Sequence, residues 1–402
     1  MRDPTSTSSP AVSHVLVEVV LALAMAGCAA SPNPTLQRAP QLTLLEQDPS
    51  PVLTVNSLGA AGVTYGIEGG QVIKIGTTYH LITAEFIQNP LDPSARFTKT
   101  NIAHWISTDH TNWQRASTLL ASSGDRTGTD PRAVYAGPLP IYDARMQRWE
   151  LFYVGYRSQS DSAPYPPNAT VSDPNPFLFP VDANFTRNVH DYYEYSGRIF
   201  RAASLTSGVS GIDGPYQEIQ AVLTTNLGAQ PWEGLFGDDS FEPYRVGNYW
   251  FAFYGSAHTE GTSNSPFSAR LMVGLVSAPT LDGPWTREPG NPLSVEPIAW
   301  ENPIVYRCPN GSLIALYNAP GWPTFDIGYT TSADGFHWSL GKTLALQPSS
   351  SGNWIATLRT PLGLVLEPDG TYTIFYTAAT TLDAWSDSYH MTMSYVRVKL
   401  QD

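Results

Sequence analysis

Apolar residues along this chain come in short unbroken runs or alternate with polar ones, and Gly, Pro, Asp and Asn bound the runs. No stretch carries convincing helical periodicity. Such patterning predicts short strands joined by tight turns. One aromatic-rich run recurs five times, as Tyr79-His80-Leu81-Ile82-Thr83, Trp149-Glu150-Leu151-Phe152-Tyr153, Trp250-Phe251-Ala252-Phe253-Tyr254, Leu313-Ile314-Ala315-Leu316-Tyr317 and Tyr372-Thr373-Ile374-Phe375-Tyr376. A unit that cannot bury its apolar face alone, repeated at such periods, marks a radial or stacked β architecture.

A second strand follows each of the first four copies and ends in a Gly or Asp turn and an aromatic. These are Ile102–Asp109 with Trp113, Ile199–Ala203 with Gly214-Pro215-Tyr216, Leu271–Ser277 with Gly283-Pro284-Trp285, and Ile327–Ser332 with Gly335 and Trp338. Gly and Asp permit the hairpin, and the aromatic is expected to pack back on its own unit. Met391–Leu400 alternates as a last strand. The longest interval, between the second and third units, holds Ser158–Ser196, rich in Pro, Asn, Asp and Tyr, which reads as a long loop over one face. The fold class is therefore all-β, with each unit one four-stranded blade of a five-bladed β-propeller.

Composition agrees with one such domain. The 402 residues are 42% hydrophobic and 12% aromatic, with 34 prolines and 32 glycines, enough for a sizeable core and many sharp turns. The 22 basic and 35 acidic residues leave a net charge of −13, and no Lys/Arg cluster occurs, which excludes a nucleic-acid surface. The two cysteines imply no disulfide framework, because Cys308 has only Cys28 as a partner and Cys28 lies in a leader. Val15–Gly27 is apolar and ends in Leu-Ala-Met-Ala-Gly before Cys28, which resembles a bacterial lipoprotein processing site. The run is too short to span a bilayer comfortably, Arg2 is nearly the only positive charge ahead of it, and Glu18 interrupts it. The expected organisation is a signal peptide over 1–28 with Cys28 lipidated, a Pro/Ser-rich tether over 29–50, and the propeller over 51–402. An exported monomer follows, touching a membrane only through that lipid.

In a propeller the first strand of every blade faces the central channel. One strand and one turn upstream of each repeated word, about a dozen residues, stand Glu68, Pro138, Asp239, Glu301 and Pro361, the last following Arg359. Three carboxylates and an arginine, far apart in sequence, are thus expected around one channel. Asp238 competes with Asp239 for its position, and strand register favours Asp239.

Here the chain resembles the five-bladed propeller glycoside hydrolases, the arabinanase/β-xylosidase and fructosidase superfamily of families 43, 32, 62 and 117. The residues that carry the likeness are Glu68 with Gly76 and Tyr79-His80-Leu81, Asp239 running through to Tyr254-Gly255, and Glu301-Asn302-Pro303. It covers roughly Val63 to the C-terminus. The resemblance implies cleavage of a glycosidic bond in a polysaccharide or oligosaccharide. Glu301 would be the acid, Glu68 the base or nucleophile, Asp239 the modulator, and Arg359 a donor to a sugar hydroxyl or carboxylate. The family's first carboxylate is usually Asp before Pro; here Glu68 reaches one methylene further. Inversion is the default reading. A retaining, fructosidase-like route and a glycan-binding propeller without turnover are the alternatives. Trp232, Trp300 and Trp354 flank the entrances as candidate sugar platforms, against core packing as the other reading. Asp130, in Asp-Pro-Arg, reads as a turn residue. No cofactor is specified: some relatives hold a channel ion such as calcium or sodium, but no pattern here specifies one, and His80 and His390 have no partners at metal-ligand spacing.

Overall fold

The described part of the computed structural model is residues 40–401 except 58, 61, 159–196, 225–229, 231, 234–236, 263–264, 294–300, 320–325, 347–353 and 383–385. The leader with Cys28 and most of the expected long loop lie outside it. Strand β1 (Gln41–Gln47) comes first, inside the segment expected to be a tether. Four antiparallel meanders follow: β2 (Val63–Ile75), β3 (Thr78–Ile87), β4 (Thr100–Ser107) and β5 (Gln114–Ala121); β6 (Val134–Asp143), β7 (Arg148–Tyr156), β8 (Arg198–Ser204) and β9 (Tyr216–Thr224); β10 (Asp238–Val246), β11 (Tyr249–Thr262), β12 (Ser265–Ala278) and β13 (Thr286–Arg287); β14 (Glu301–Arg307), β15 (Leu313–Ala319), β16 (Asp326–Ser332) and β17 (Lys342–Leu344). The last, β18 (Thr357–Leu366), β19 (Tyr372–Ala379) and β20 (Met391–Gln401), takes its fourth strand from β1, which pairs with β20 from Gln41↔Gln401 to Gln47↔Val396. The ordered sheet therefore starts before Ser50. The backbone of Gln41–Gln47 satisfies an otherwise open edge, and Leu42 joins the core. A single parallel pair, Gly66↔Met391, bridges this sheet to β2.

The five repeated words occupy β3, β7, β11, β15 and β19, the second strand of each meander. Every residue of β15 and β19 is buried. A strand covered on both faces tolerates apolar residues without alternation, which is why the words read as unbroken runs. Among the described residues six apolar clusters form the core, two of them at the joint of last and first meanders. Each lies between two neighbouring meanders, and last closes against first through Phe375, Tyr395, Trp105 and Trp113 in one cluster and Phe86, Phe97, Tyr389 and Met391 in another. The turn aromatics serve these joints, Trp285 packing on its own unit as well. Trp113 meets Phe375 edge-on at 5.7 Å, Trp285 meets Phe241 at 5.0 Å and Phe152 at 6.5 Å, and Trp338 meets Phe253 at 4.9 Å. The first strands touch in cyclic order, β2 to β6, β10, β14, β18 and back to β2.

Candidate active site

Each first strand loses register with its neighbour at the point where it approaches the others. The shifts fall between Glu68 and Gly70, Ala136 and Leu139, Asp238 and Ser240, Glu301 and Ile304, and Thr357 and Thr360. A bulge leaves residues unpaired and re-aims their side chains. The sequence supplies the required backbone there: Gly69, Gly70, Gly137 and Asn302 all have positive φ. At Gly70 no other residue fits, because a Cβ would lie 2.0 Å from the Ile82 carbonyl oxygen. The five bulges frame one pocket, lined by Gly69, Gly137, Ser240, Asn302 and Thr360 among others.

Glu68, Asp239 and Glu301, each half-buried, stand at these bulges beside the lining residues; Glu68 raises the proton affinity of Asp239, and both raise that of Glu301. Burial raises Glu301 well above the usual carboxylate range, and the charges of Asp239 and Glu68 add to that. Asp239 is pushed up to about 7 by burial and by Glu68, against a donor from Ser240. Glu68 is raised by burial but pulled back by a hydroxyl, since Thr360 Oγ1 donates to its Oε1 at 2.6 Å. Asn318 Nδ2 in turn donates to Thr360 Oγ1 at 3.0 Å. With its acceptor position taken by Asn318, the Thr360 hydroxyl proton points at Glu68 and favours its ionised form. Glu301 has no such donor among the causes that shift it. Three like groups thus sit in unequal surroundings, the arrangement that separates a proton donor from a base.

Asp238 turns elsewhere. It is buried beside Glu233, Arg287 and Arg198, and Glu233 takes a bidentate grip from Arg287 at 2.6 and 3.0 Å. The side chain of Arg359 and the whole of Trp300 lie outside the described residues. Trp232 and Trp354 are packed rather than presented. Trp232 is buried against Tyr254, its Nε1 donating to Gln230 at 2.8 Å; Trp354 stacks on Tyr376 with Nε1 on the Pro49 carbonyl at 2.9 Å. Large rings beside a meander joint bury more apolar area there than at the rim, and both indole N–H groups find acceptors. Asp130 accepts from the Arg132 amide at 2.8 Å and from Ser123 in a turn. Thr360 and Asn318 escaped the sequence reading because neither residue type signals catalysis; the signal available was Thr360's place between Arg359 and Pro361, the fifth equivalent slot.

The raised carboxyls bear on stability. Unfolded Asp titrates near 3.9, whereas folded Asp239 holds its proton to about 7. Its contribution is therefore intact below about pH 4 and is lost as pH rises through 7. Asp239→Asn is expected to raise the thermal midpoint at pH 8 and change it little at pH 4, as read by calorimetry at the two pH values; a lower midpoint at pH 8 overturns this.

No protein-family model matches the sequence, and no curated protein does either. Among solved structures the chain is similar to a family 117 glycoside hydrolase of the marine bacterium Zobellia galactanivorans, with a TM-score of 0.57 and 12% identity over 90% of each chain. It is similar to BT0996, solved as an RGII complex, with a TM-score of 0.58 and 14% identity over 88% of this chain and 92% of that one. It is also similar to an α-L-arabinofuranosidase of Podospora anserina, solved with cellotriose, with a TM-score of 0.52 and 11% identity over 87% and 95%. The chain has the β-propeller fold of these glycoside hydrolases.

Proposed function

We propose that this β-propeller has five blades and is a glycosidase that cleaves a polysaccharide or oligosaccharide by carboxylate acid/base catalysis with inversion. Five meanders, five apolar joints between them and the cyclic contact of the first strands support the blade count. The observation that carries the function is the unequal treatment of three half-buried carboxyls drawn from three strands that frame one pocket. Glu301, raised by burial and two like charges, donates a proton to the leaving oxygen. Glu68, held as an acceptor by Thr360, takes a proton from water as that water attacks the anomeric carbon. Asp239 keeps Glu301's proton affinity high. Arg359 is assigned to the substrate, and the chain to an exported, Cys28-lipidated form acting outside the cytoplasm as a monomer.

The test is turnover of a panel of aryl glycosides, oligosaccharides and polysaccharides, with the anomer of the first product read by proton NMR. Cleavage with inverted configuration is expected. Retained configuration makes Glu68 the nucleophile, and binding without turnover on every substrate replaces the enzyme with a glycan-binding propeller.

Thr360 adds a second expectation. Thr360→Val removes the donor that lowers Glu68's pKa, so the acid limb of the kcat/KM profile should move to higher pH, with about a tenfold loss of kcat at low pH. An unmoved acid limb would separate Thr360 from the base.

A further inference from the structure

We propose that His80, His104 and Asp213 form a site for one divalent transition-metal ion of the zinc type, between the β2–β5 and β6–β9 meanders. His80 lies on β3 and His104 on β4. His104 pairs with Ile82, two residues from His80, so both imidazoles share the face turned toward the next meander. Asp213 ends a 3-10 turn, Val209–Asp213, between β8 and β9. One donor atom from each of the three lies within 4.8 Å of the others.

The cluster is not a satisfied polar network. His104 is fully buried, yet its Nδ1 lacks a hydrogen-bond partner even with Asp213 Oδ1 3.2 Å away. Its Nε2 faces His80 Nδ1 at 3.0 Å, the two rings within 9° of parallel. Two imidazole nitrogens directed at each other need a proton or a cation between them. The unprotonated imidazole is the form that binds metal. Two imidazoles and one carboxylate suit Zn²⁺, Co²⁺ or Ni²⁺ rather than Ca²⁺ or Mg²⁺, which take oxygen ligands.

Ligands on a tetrahedral zinc, with bonds of about 2.0–2.1 Å, stand about 3.4 Å apart. The Asp213 side chain, 67% exposed, is free to swing in by the distance needed and leaves a fourth position for water. His80 on its own strand offered no partner at ligand spacing; the fold supplies one from β4 and one from the neighbouring meander. An ion there would tie two meanders whose apolar joint includes Ile82, Ile102 and Tyr153. The site stands apart from the three pocket carboxyls and does not depend on their assigned chemistry.

The experiment uses the full chain, stripped with chelator and titrated with ZnCl₂ by calorimetry and by thermal unfolding, and loaded with Co²⁺ for its visible spectrum. One Zn²⁺ per chain is expected, with the unfolding midpoint raised by about 3 °C at saturation. Asp213→Ala and His80→Ala, both at positions less buried than His104, should weaken binding at least tenfold and abolish the Co²⁺ spectrum. Absence of saturable binding overturns the proposal and leaves a hydrogen-bonded histidine pair. Equal affinity in wild type and both variants overturns it too, placing the ion on other histidines.

Discussion

Glu301→Gln is expected to cut kcat/KM on natural glycosides by about 10²–10⁴-fold while sparing aryl glycosides with strongly acidic phenols. The amide keeps the shape of the side chain but cannot deliver a proton. An alkoxide leaving group needs that proton in the transition state, whereas a nitrophenolate departs without it. Rates measured across leaving groups of graded acidity should therefore fall on a steep line in the variant and a shallow one in wild type. The raised proton affinity of Glu301 also predicts the alkaline limb of the wild-type profile, since activity is lost as pH rises and the acid ionises. Removing one neighbouring charge, as in Asp239→Asn, should shift that limb to lower pH. A uniform loss across all leaving groups in Glu301→Gln, or an unmoved alkaline limb in Asp239→Asn, would take the acid role away from Glu301.

Glu68→Gln is expected to lower turnover by a similar factor, about 10²–10⁴, but equally for good and poor leaving groups. Water must be deprotonated as it attacks whatever leaves. The acid limb of the profile, which reflects protonation of Glu68, should vanish with it. The structure argues for this from the pair of hydrogen bonds Asn318 to Thr360 and Thr360 to Glu68, which offset part of the cost of an ionised carboxylate in a buried pocket. Substrate binding, measured by calorimetry on a slow substrate, should be nearly unchanged. If Glu68→Gln instead retains turnover within about threefold of wild type, the base lies elsewhere and the likeness at the first strand is one of fold only.

Much of this architecture was legible beforehand because it rests on local rules. The five words stand out since a strand covered on both faces is apolar throughout, and the turn residues Asp109, Gly214, Gly283 and Gly335 mark the hairpins after them. The equivalence of Glu68, Asp239 and Glu301 followed from repeat spacing alone. Other features had no local signature. Gln41–Gln47 looks like a tether until β20 offers an edge to it. Trp232 and Trp354 look like sugar platforms until the joints that bury them are formed. Thr360 and Asn318 carry no mark of chemistry until a carboxylate lies 2.6 Å from one of them.

Sequence alone determined the strands, their number of repeats and which acids occupy matching slots, because alternation, turn propensity and periodicity act over a few residues. Only the tertiary structure decided which groups share a pocket, which carboxyl keeps a proton, and which imidazole of β3 meets one from β4. Those outcomes depend on burial and on charges brought within reach from distant strands, and the low dielectric that magnifies them exists only after the chain has closed on itself.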